Sequence, residues 1–208
     1  NSNFTGSGII NFTTEFTTLG TTSSCLSAKS QTVTTPTGTN WNINLSSLAN
    51  NTIHILNVSG ATLSALTGFE VSGASSTKIL VINVNASGTY TMPVINQNSL
   101  SQAPYILWNF YNATTLSISR LVGSLLAPSA NVTKPTGANN IDGQVVALSY
   151  TQLSGETHIN SFNSSLSCTS CTATGGTIAA SQTKCSPANP NLFTSSASGS
   201  VSAGTLSY

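Results

Sequence analysis

The chain has 208 residues, enough for one domain with a hydrophobic core, and its five basic and four acidic residues leave a net charge of +1. Charged residues make up 4% of the chain against a usual ~25%, so there is no electrostatic basis for binding nucleic acid or an anionic membrane surface. No apolar run approaches the ~20 residues of a membrane span, and 38% hydrophobic residues predict a folded chain whose polarity comes mainly from Ser, Thr and Asn.

The first eleven residues, NSNFTGSGIIN, contain one short apolar patch, Ile9 and Ile10, between Gly and Ser residues. We expect residues 1–11 to form an extended N-terminal arm. The following residues carry apolar side chains at helical spacing, which predicts one short helix over about residues 12–28. The predicted buried face of this helix consists of Phe12, Phe16, Leu19 and Leu26.

After a turn around Pro36 and Gly38, the chain changes to short β-like runs separated by Gly, Pro, Asn and Ser clusters. The predicted strands are WNINL (41–45), TIHILNV (52–58), TKILVINV (77–84), YILWNF (105–110), TLSIS (115–119), LVGSLLA (121–127), GQVVALS (143–149) and THINSF (157–162). Four of them contain continuous apolar runs, which indicate strands covered on both faces. We expect Pro128 to end the strand at 121–127, because proline cannot donate to a ladder, and Asn131 to lie in the turn beyond it.

These patterns predict a mainly β fold of layered short strands, either a compact sandwich or a solenoid. The last three inner runs are centred about 19 to 20 residues apart, a spacing that fits both architectures. The β domain should extend over residues 12–167. Residues 168–208 lose apolar density and are predicted to form a Ser/Gly-rich C-terminal extension pinned by disulfides.

An even number of cysteines in a chain that otherwise resembles a secreted protein predicts disulfides rather than a redox or zinc site. The four residues are Cys25, Cys168, Cys171 and Cys185, and three pairings are open. Because a Cys168–Cys171 bond would close a very small ring, we favour one of that pair bonding Cys25 and the other bonding Cys185.

Nine Asn-x-Ser/Thr triplets mark candidate N-glycosylation sites, about as many as chance would give in this composition. They are Asn3, Asn11, Asn44, Asn50, Asn57, Asn85, Asn112, Asn131 and Asn163. Three of them follow closely after apolar runs, where strands should emerge into solvent. Attached glycans would supply surface polarity that the chain otherwise lacks.

The few acidic residues are too far apart in the sequence to form a catalytic carboxylate pair, so we predict no catalytic residues, no metal site and no cofactor. Glu156 and His158 would share one face of a strand, where a structural hydrogen-bonded pair is the more frequent arrangement. Asp142 before Gly143 indicates a turn in which glycine takes a positive φ. Trp41, beside two asparagines, is the aromatic residue that we expect to be most exposed.

The segments ILWNFYNATTLSIS, LVGSLLAPSANVT, NIDGQVVA and GETHINSF follow one another in the order of a signature found in the choice-of-anchor A family. Over roughly residues 12–163 the chain resembles that family. The resemblance implies an extracellular, mostly β domain with an adhesive or surface-structural role and no catalytic residues. Compared with the family pattern, we expect the Gly-rich N-terminal portion and the C-terminal anchor to be missing.

A domain without its first strands would present an unpaired edge, and the arm that carries Ile9 and Ile10 is suited to fill such an edge in another copy. We therefore predict an extracellular structural glycoprotein whose partners are copies of itself, assembled into a filament by strand donation. The alternative is a cell-surface adhesin that binds carbohydrate. Ice binding is a third alternative, disfavoured because the threonines do not recur at a fixed period.

Overall fold

The computed structural model describes residues 11–97 and 100–166 and four short strand segments further on, and it divides the chain into two compact units, Asn1–Ser167 and Cys168–Tyr208. In the first unit the helices are α1 (Phe12–Ser27), α2 (Gly60–Ser64) and a 3-10 helix (Leu100–Tyr105). Its strands are β1 (Asn40–Asn44), β2 (Thr52–Ser59), β3 (Gly68–Ser72), β4 (Lys78–Asn85), β5 (Gly88–Thr91), β6 (Ile106–Asn109), β7 (Ala113–Ser117), β8 (Leu121–Val122), β9 (Ser124–Lys134), β10 (Ile141–Asp142), β11 (Val145–Gln152) and β12 (Thr157–His158).

The second unit contains two antiparallel pairs among its described segments. The strands β13 (Ala173–Thr174) and β16 (Ser200–Val201) form one pair. The other pair consists of β14 (Thr177–Ile178) and β15 (Ser195–Ala197). The predicted disulfide-pinned character of this extension lies outside the described residues and stays a prediction.

The named strands of the first unit pair only in parallel, and each partner lies one coil earlier or later in the chain. Thr52 faces Lys78, Leu80 faces Ile106, and Leu125 faces Val145 in the registers of successive coils. A sandwich of hairpins would need antiparallel neighbours, whereas parallel neighbours require the chain to return to its starting side in every coil. The mainly β prediction is confirmed, and the topology is that of a solenoid.

Each complete coil has three faces. The strands β1 and β3, and in later coils β8, β10 and β12, precede the second face, which is built from β2, β4, β6 and the first half of β9. The third face consists of β5, β7 and the second half of β9. The strand β11 adds to both halves of β9, with a register shift between Ala147 and Ser149 where the chain turns the corner.

The second face is buried on both sides, as its continuous apolar runs predicted. Its inner side chains include Leu56, Ile82, Trp108 and Leu125, which stack in register in the solenoid core. Its outer side is covered by α1, which contacts β4, β6 and β9. Both faces of β4 and β6 are therefore buried. For this reason these strands lack the alternation of apolar and polar residues that half-exposed strands show.

A ladder of asparagines attaches α1 to this outer side. The residues Asn57, Asn83 and Asn109 are in register on β2, β4 and β6, and Nδ2 of each of the last two donates to Oδ1 of the preceding one at 2.9 and 2.8 Å. The three Nδ2 atoms also donate to backbone oxygens of the helix end and the segment after it, at Lys29, Leu26 and Ser23. At Leu26 and Ser23 these bonds are buried, so the ladder gives backbone oxygens of the helix a donor where water does not compete.

The helix itself is confirmed, but its predicted buried face is only partly right. Among the four apolar residues only Leu26 is buried, and Phe12 is 70% exposed. Near the C-terminal end the buried position beside Leu26 is held by Ser23, whose hydroxyl donates to Asn109 Oδ1 at 2.6 Å. A polar contact rather than an apolar stripe therefore fixes the helix on the sheet.

Three other sequence expectations were wrong. Pro128 does not end its strand, because β9 runs on to Lys134, and the proline lies between the residues of β9 that pair with β6 and those that pair with β7. Trp41 is 2% exposed and donates its indole N–H to the Gly38 carbonyl. Gly143 does not have the positive φ that the sequence predicted; it is needed because a Cβ there would overlap the Gly123 carbonyl of the preceding coil.

None of the helices in the described part of the chain has the length and apolar character needed to span a bilayer.

Candidate functional site

The outward side chains of the third face form two columns of hydroxyl and amide groups. The first column, in register across four strands, is Thr89, Thr115, Asn131 and Ser149. The second column, two residues further along each strand, is Thr91, Ser117, Thr133 and Thr151. We call these eight residues the hydroxyl face.

The geometry of a parallel sheet sets the spacing of these columns. Neighbouring strands lie about 4.8 Å apart, and residues two apart in a strand lie about 6.7 Å apart. Six of the eight side chains are exposed, and only Ser117 and Thr133 are partly covered. All eight are uncharged, so the hydroxyl face is a flat, regular array of neutral hydrogen-bonding groups.

A fixed period of threonines in the sequence is not required for such an array. Successive members of the first column are separated by 26, 16 and 18 residues, from 89 to 115, to 131, and to 149. The corner loops absorb this variation, while the strand pairing keeps the columns aligned. The threonine-rich stretch FTTEFTTLGTT lies instead in α1, where Thr17, Thr18 and Thr21 donate to carbonyls four residues earlier.

The end of the solenoid formed by β11 is a second candidate surface. This strand pairs with β9, and among the described strands it has no partner on its other edge. All eight of its residues are exposed or partly exposed. Two large apolar side chains stand out there, Leu148 at 61% and Leu153 just after the strand at 58% exposure.

The opposite end differs, because the outer edge of β2 is occupied by the segment after α1. The backbone N–H groups of Thr32 and Val33 donate to the Ile55 carbonyl, and the Ile55 N–H donates to the Thr32 hydroxyl. Further along, Gln31 Oε1 accepts from the Asn57 N–H. The sequence expectation placed an unpaired edge at the first strands, and on β2 that edge is covered by this segment. The strand β11, which among the described strands pairs only with β9, lies instead at the last coil.

His158 lies between two carboxylates at this same end. Its Nε2 is 2.8 Å from Glu156 Oε2, and its Nδ1 is 2.7 Å from Asp142 Oδ1. The hydrogen bonds of its ring to the carboxylates of Glu156 and then Asp142 raise the pKa of His158 above its ordinary value. The predicted meeting of Glu156 with His158 is confirmed. Asp142 was missed because β10 and β12 come together only through sheet pairing.

The chemistry of this trio is that of a structural clamp between β10 and β12. Across the described residues, no group of three His, Cys, Asp or Glu side chains has an arrangement that could hold a metal ion. Nearby, the buried ammonium of Lys134 donates to the Ser154 carbonyl at 2.8 Å. Burial lowers the pKa of Lys134, and the charge of Glu156 opposes that shift.

Seven of the nine glycosylation candidates have described side chains at exposed or partly covered positions of the solenoid, and their occupancy stays a prediction. These are Asn44, Asn50, Asn57, Asn85, Asn112, Asn131 and Asn163. Asn112 Nδ2 donates to Asn85 Oδ1, and Asn131 is on a strand within the hydroxyl face rather than in a turn. A glycan on Asn131 would cover that face.

The remaining predicted sites fall elsewhere. Asn11 caps α1 by accepting from the Thr14 N–H at 3.2 Å. Cys25 is on the same helix, while the other three cysteines lie outside the described residues, so the pairing stays a prediction. Asn3, Ile9 and Ile10 likewise lie outside the described residues.

Comparison with protein families identifies a match over residues 1–159, to a family described as "Putative Ice-binding-like adhesive domain". The chain belongs to this family. The match covers most of the chain and makes it an adhesive domain of the kind found on surfaces, which is a broader assignment than the choice-of-anchor A resemblance. No curated protein and no solved structure matches the adhesive domain.

Proposed function

We propose that this adhesive domain is a secreted structural glycoprotein subunit that associates with copies of itself at the open edge of β11. The observation that carries this proposal is the eight-residue edge strand with its exposed apolar side chains. A long, uncharged edge of this kind pairs with further strands unless it is covered. A non-catalytic role and kinship with the choice-of-anchor A proteins are parts of the same proposal.

The occupant that we propose for this edge is the N-terminal arm, residues 1–11, of another copy. The sequence of this arm, with Ile9 and Ile10, has the composition of a donated strand, and Leu148 offers an apolar contact beside the edge. The arm and β11 are different segments of the chain. Their contact is therefore head to tail, and it continues into a filament wherever the rotation between copies does not close a ring.

Two variants test this assembly by electron microscopy and analytical ultracentrifugation. Deletion of residues 1–10 removes the arm except for Asn11, which caps α1. The substitution Leu148→Lys places a charge beside the edge strand, and Leu100→Lys, at a 55% exposed leucine in the 3-10 helix, is its matched control. We expect filaments from the unaltered chain and from the control, and monomers from both test variants. A monomeric unaltered chain, or filaments that survive both test changes, contradicts the proposal.

The hydroxyl face supports a second candidate function, adhesion to an ordered surface such as ice. Two neutral columns with the regular spacing of a parallel sheet can hold an ordered layer of water molecules in a way that a charged or uneven surface cannot. We expect thermal hysteresis from the unglycosylated protein, its loss in Thr115→Tyr, and its retention in Thr18→Tyr on α1. The absence of hysteresis in the unaltered protein excludes this candidate.

The glycosylation state of Asn131 distinguishes the two candidate functions. A glycan on this residue would project from the middle of the hydroxyl face, so an occupied Asn131 is compatible with the glycoprotein assembly and incompatible with surface adhesion by that face. Mass spectrometry of glycopeptides from the native protein measures the occupancy directly.

A further inference from the structure

A polar cleft of about 320 Å³ lies where β2 and β4 end, beside the C-terminal end of α1. Its walls include Ser27 of the helix, Asn57 and Ser59 of β2, Asn85 of β4, and Tyr111 from the turn after β6. It belongs neither to the hydroxyl face nor to the open edge of β11. We propose that this cleft is a binding subsite for a sugar residue, and the proposal does not rest on self-association.

The composition of the cleft favours a neutral, hydroxyl-rich ligand. The described residues that line it carry amides, hydroxyls, a valine and one phenol, and none of them is charged. A phosphate, a nucleotide or an acidic peptide would leave its charge without a partner in such a site. A sugar ring has many hydroxyls for amide groups and an apolar face for an aromatic ring.

Some hydrogen-bonding groups of the cleft are already bonded within the protein, and others are available to a ligand. The Asn57 and Asn83 amides are held by the ladder, with Asn83 Nδ2 donating to Asn57 Oδ1 at 2.9 Å. Asn85 Oδ1 accepts from Asn112 at 2.6 Å, whereas Asn85 Nδ2 and the Tyr111 hydroxyl have no hydrogen-bond partner among the described residues. Fixed amides make the site rigid before a ligand arrives, and the available donors can bind the ligand.

The size of the cleft limits the ligand. Small-molecule pockets occupy about 300 to 1,000 Å³, and this cleft is at the lower limit. It is open to solvent beside Tyr111, which is only partly buried. A single sugar residue of a larger glycan fits these dimensions better than a complete oligosaccharide.

The sugar has two sources with the same chemistry. Asn57 and Asn85 are themselves in Asn-x-Ser triplets, so a glycan attached to this chain can fill the cleft. A glycan on another molecule or cell can also fill it, which would give the adhesive domain a specific contact. The subsite is the same in both cases, and the glycosylation state of the protein distinguishes the sources.

The test uses the full chain from a host that adds no N-glycans, and the probes are glucose, galactose, mannose, fucose and N-acetylglucosamine. Saturation-transfer NMR should detect at least one of them. Tyr111→Ala and Asn85→Ala should each lower the affinity for that sugar about fivefold to tenfold, as expected for the loss of one ring contact or one hydrogen bond. Tyr150→Ala, an exposed tyrosine of β11, is the control and should leave the affinity unchanged.

A failure of all five sugars to bind at millimolar concentration overturns the proposal, and so does binding that both cleft variants leave intact. The same titration on protein from a glycosylating host then identifies the source. If the added sugar no longer binds and Asn57 or Asn85 carries a glycan, the cleft is assigned to the chain's own sugar. Retained binding assigns it to a sugar on another surface.

Discussion

Two hydrogen bonds of the same chemistry lie in opposite regions of the solenoid. Ser23 Oγ donates to Asn109 Oδ1 at 2.6 Å between α1 and the second face, where both residues are buried. Ser149 Oγ donates to Asn131 Oδ1 at 2.7 Å on the hydroxyl face, where both are exposed. The first bond has no competition from water, while the second can exchange with water at little change in free energy.

This difference applies to the two regions as a whole. The helix-covered part is closed by apolar packing, by the asparagine ladder and by the segment that occupies the edge of β2. The last coil has exposed β11 residues and an ionisable clamp at His158. Stability should therefore reside in the first region, and the surfaces available for binding should lie mainly on the second.

The largest effect should come from Asn109→Ala. The change removes an amide that donates to Asn83 Oδ1 and to the Ser23 carbonyl and that accepts from the Ser23 hydroxyl. It leaves Asn83 Oδ1 and the Ser23 hydroxyl buried without these partners. We expect the free energy of unfolding to fall by about 3 kcal/mol, as measured by urea denaturation. Asn131→Ala on the hydroxyl face is the control, with a change within about 0.5 kcal/mol. Equal losses in the two variants would contradict the comparison.

The two serines provide a smaller and more closely matched test. Ser23→Ala should lower the free energy of unfolding by about 1 to 2 kcal/mol, because Asn109 Oδ1 loses its buried donor. Ser149→Ala should change it by less than about 0.5 kcal/mol. The same urea titration measures both variants, and an equal or larger effect for Ser149 would show that burial does not separate the regions.

The smallest effect concerns the clamp at His158. Since its folded pKa is raised, the stabilisation is fully present below the unfolded value of ~6.5 and is lost as pH rises through the folded value. Protection of the Gly143 amide, which donates to the His158 carbonyl at 3.0 Å, should fall over that range in hydrogen exchange corrected for intrinsic rates. His158→Gln should abolish the pH dependence. If protection of the Gly143 amide varies with pH equally in the variant, the pH dependence belongs to another titrating group.

Much of the local structure was predictable. The helix at Phe12–Ser27, the two-sided burial of β4 and β6, and the contact of Glu156 with His158 all follow from periodicity within a few residues. The short strands β3 and β5 were missed because Gly68–Ser72 and Gly88–Thr91 have too few apolar residues to form a pattern. Their partners in neighbouring coils, rather than their own sequences, hold them as strands.

The sequence by itself determined that this chain is a mainly β protein of low charge, with a helix near its N-terminus and strands buried on both sides, because side-chain periodicity is a local property. The tertiary structure alone decided that Thr89, Thr115, Asn131 and Ser149 form one column, that Asp142 joins His158, and that the open edge belongs to β11. Coils of unequal length erase any fixed spacing along the chain. Only the hydrogen-bonded register between strands brings these residues together.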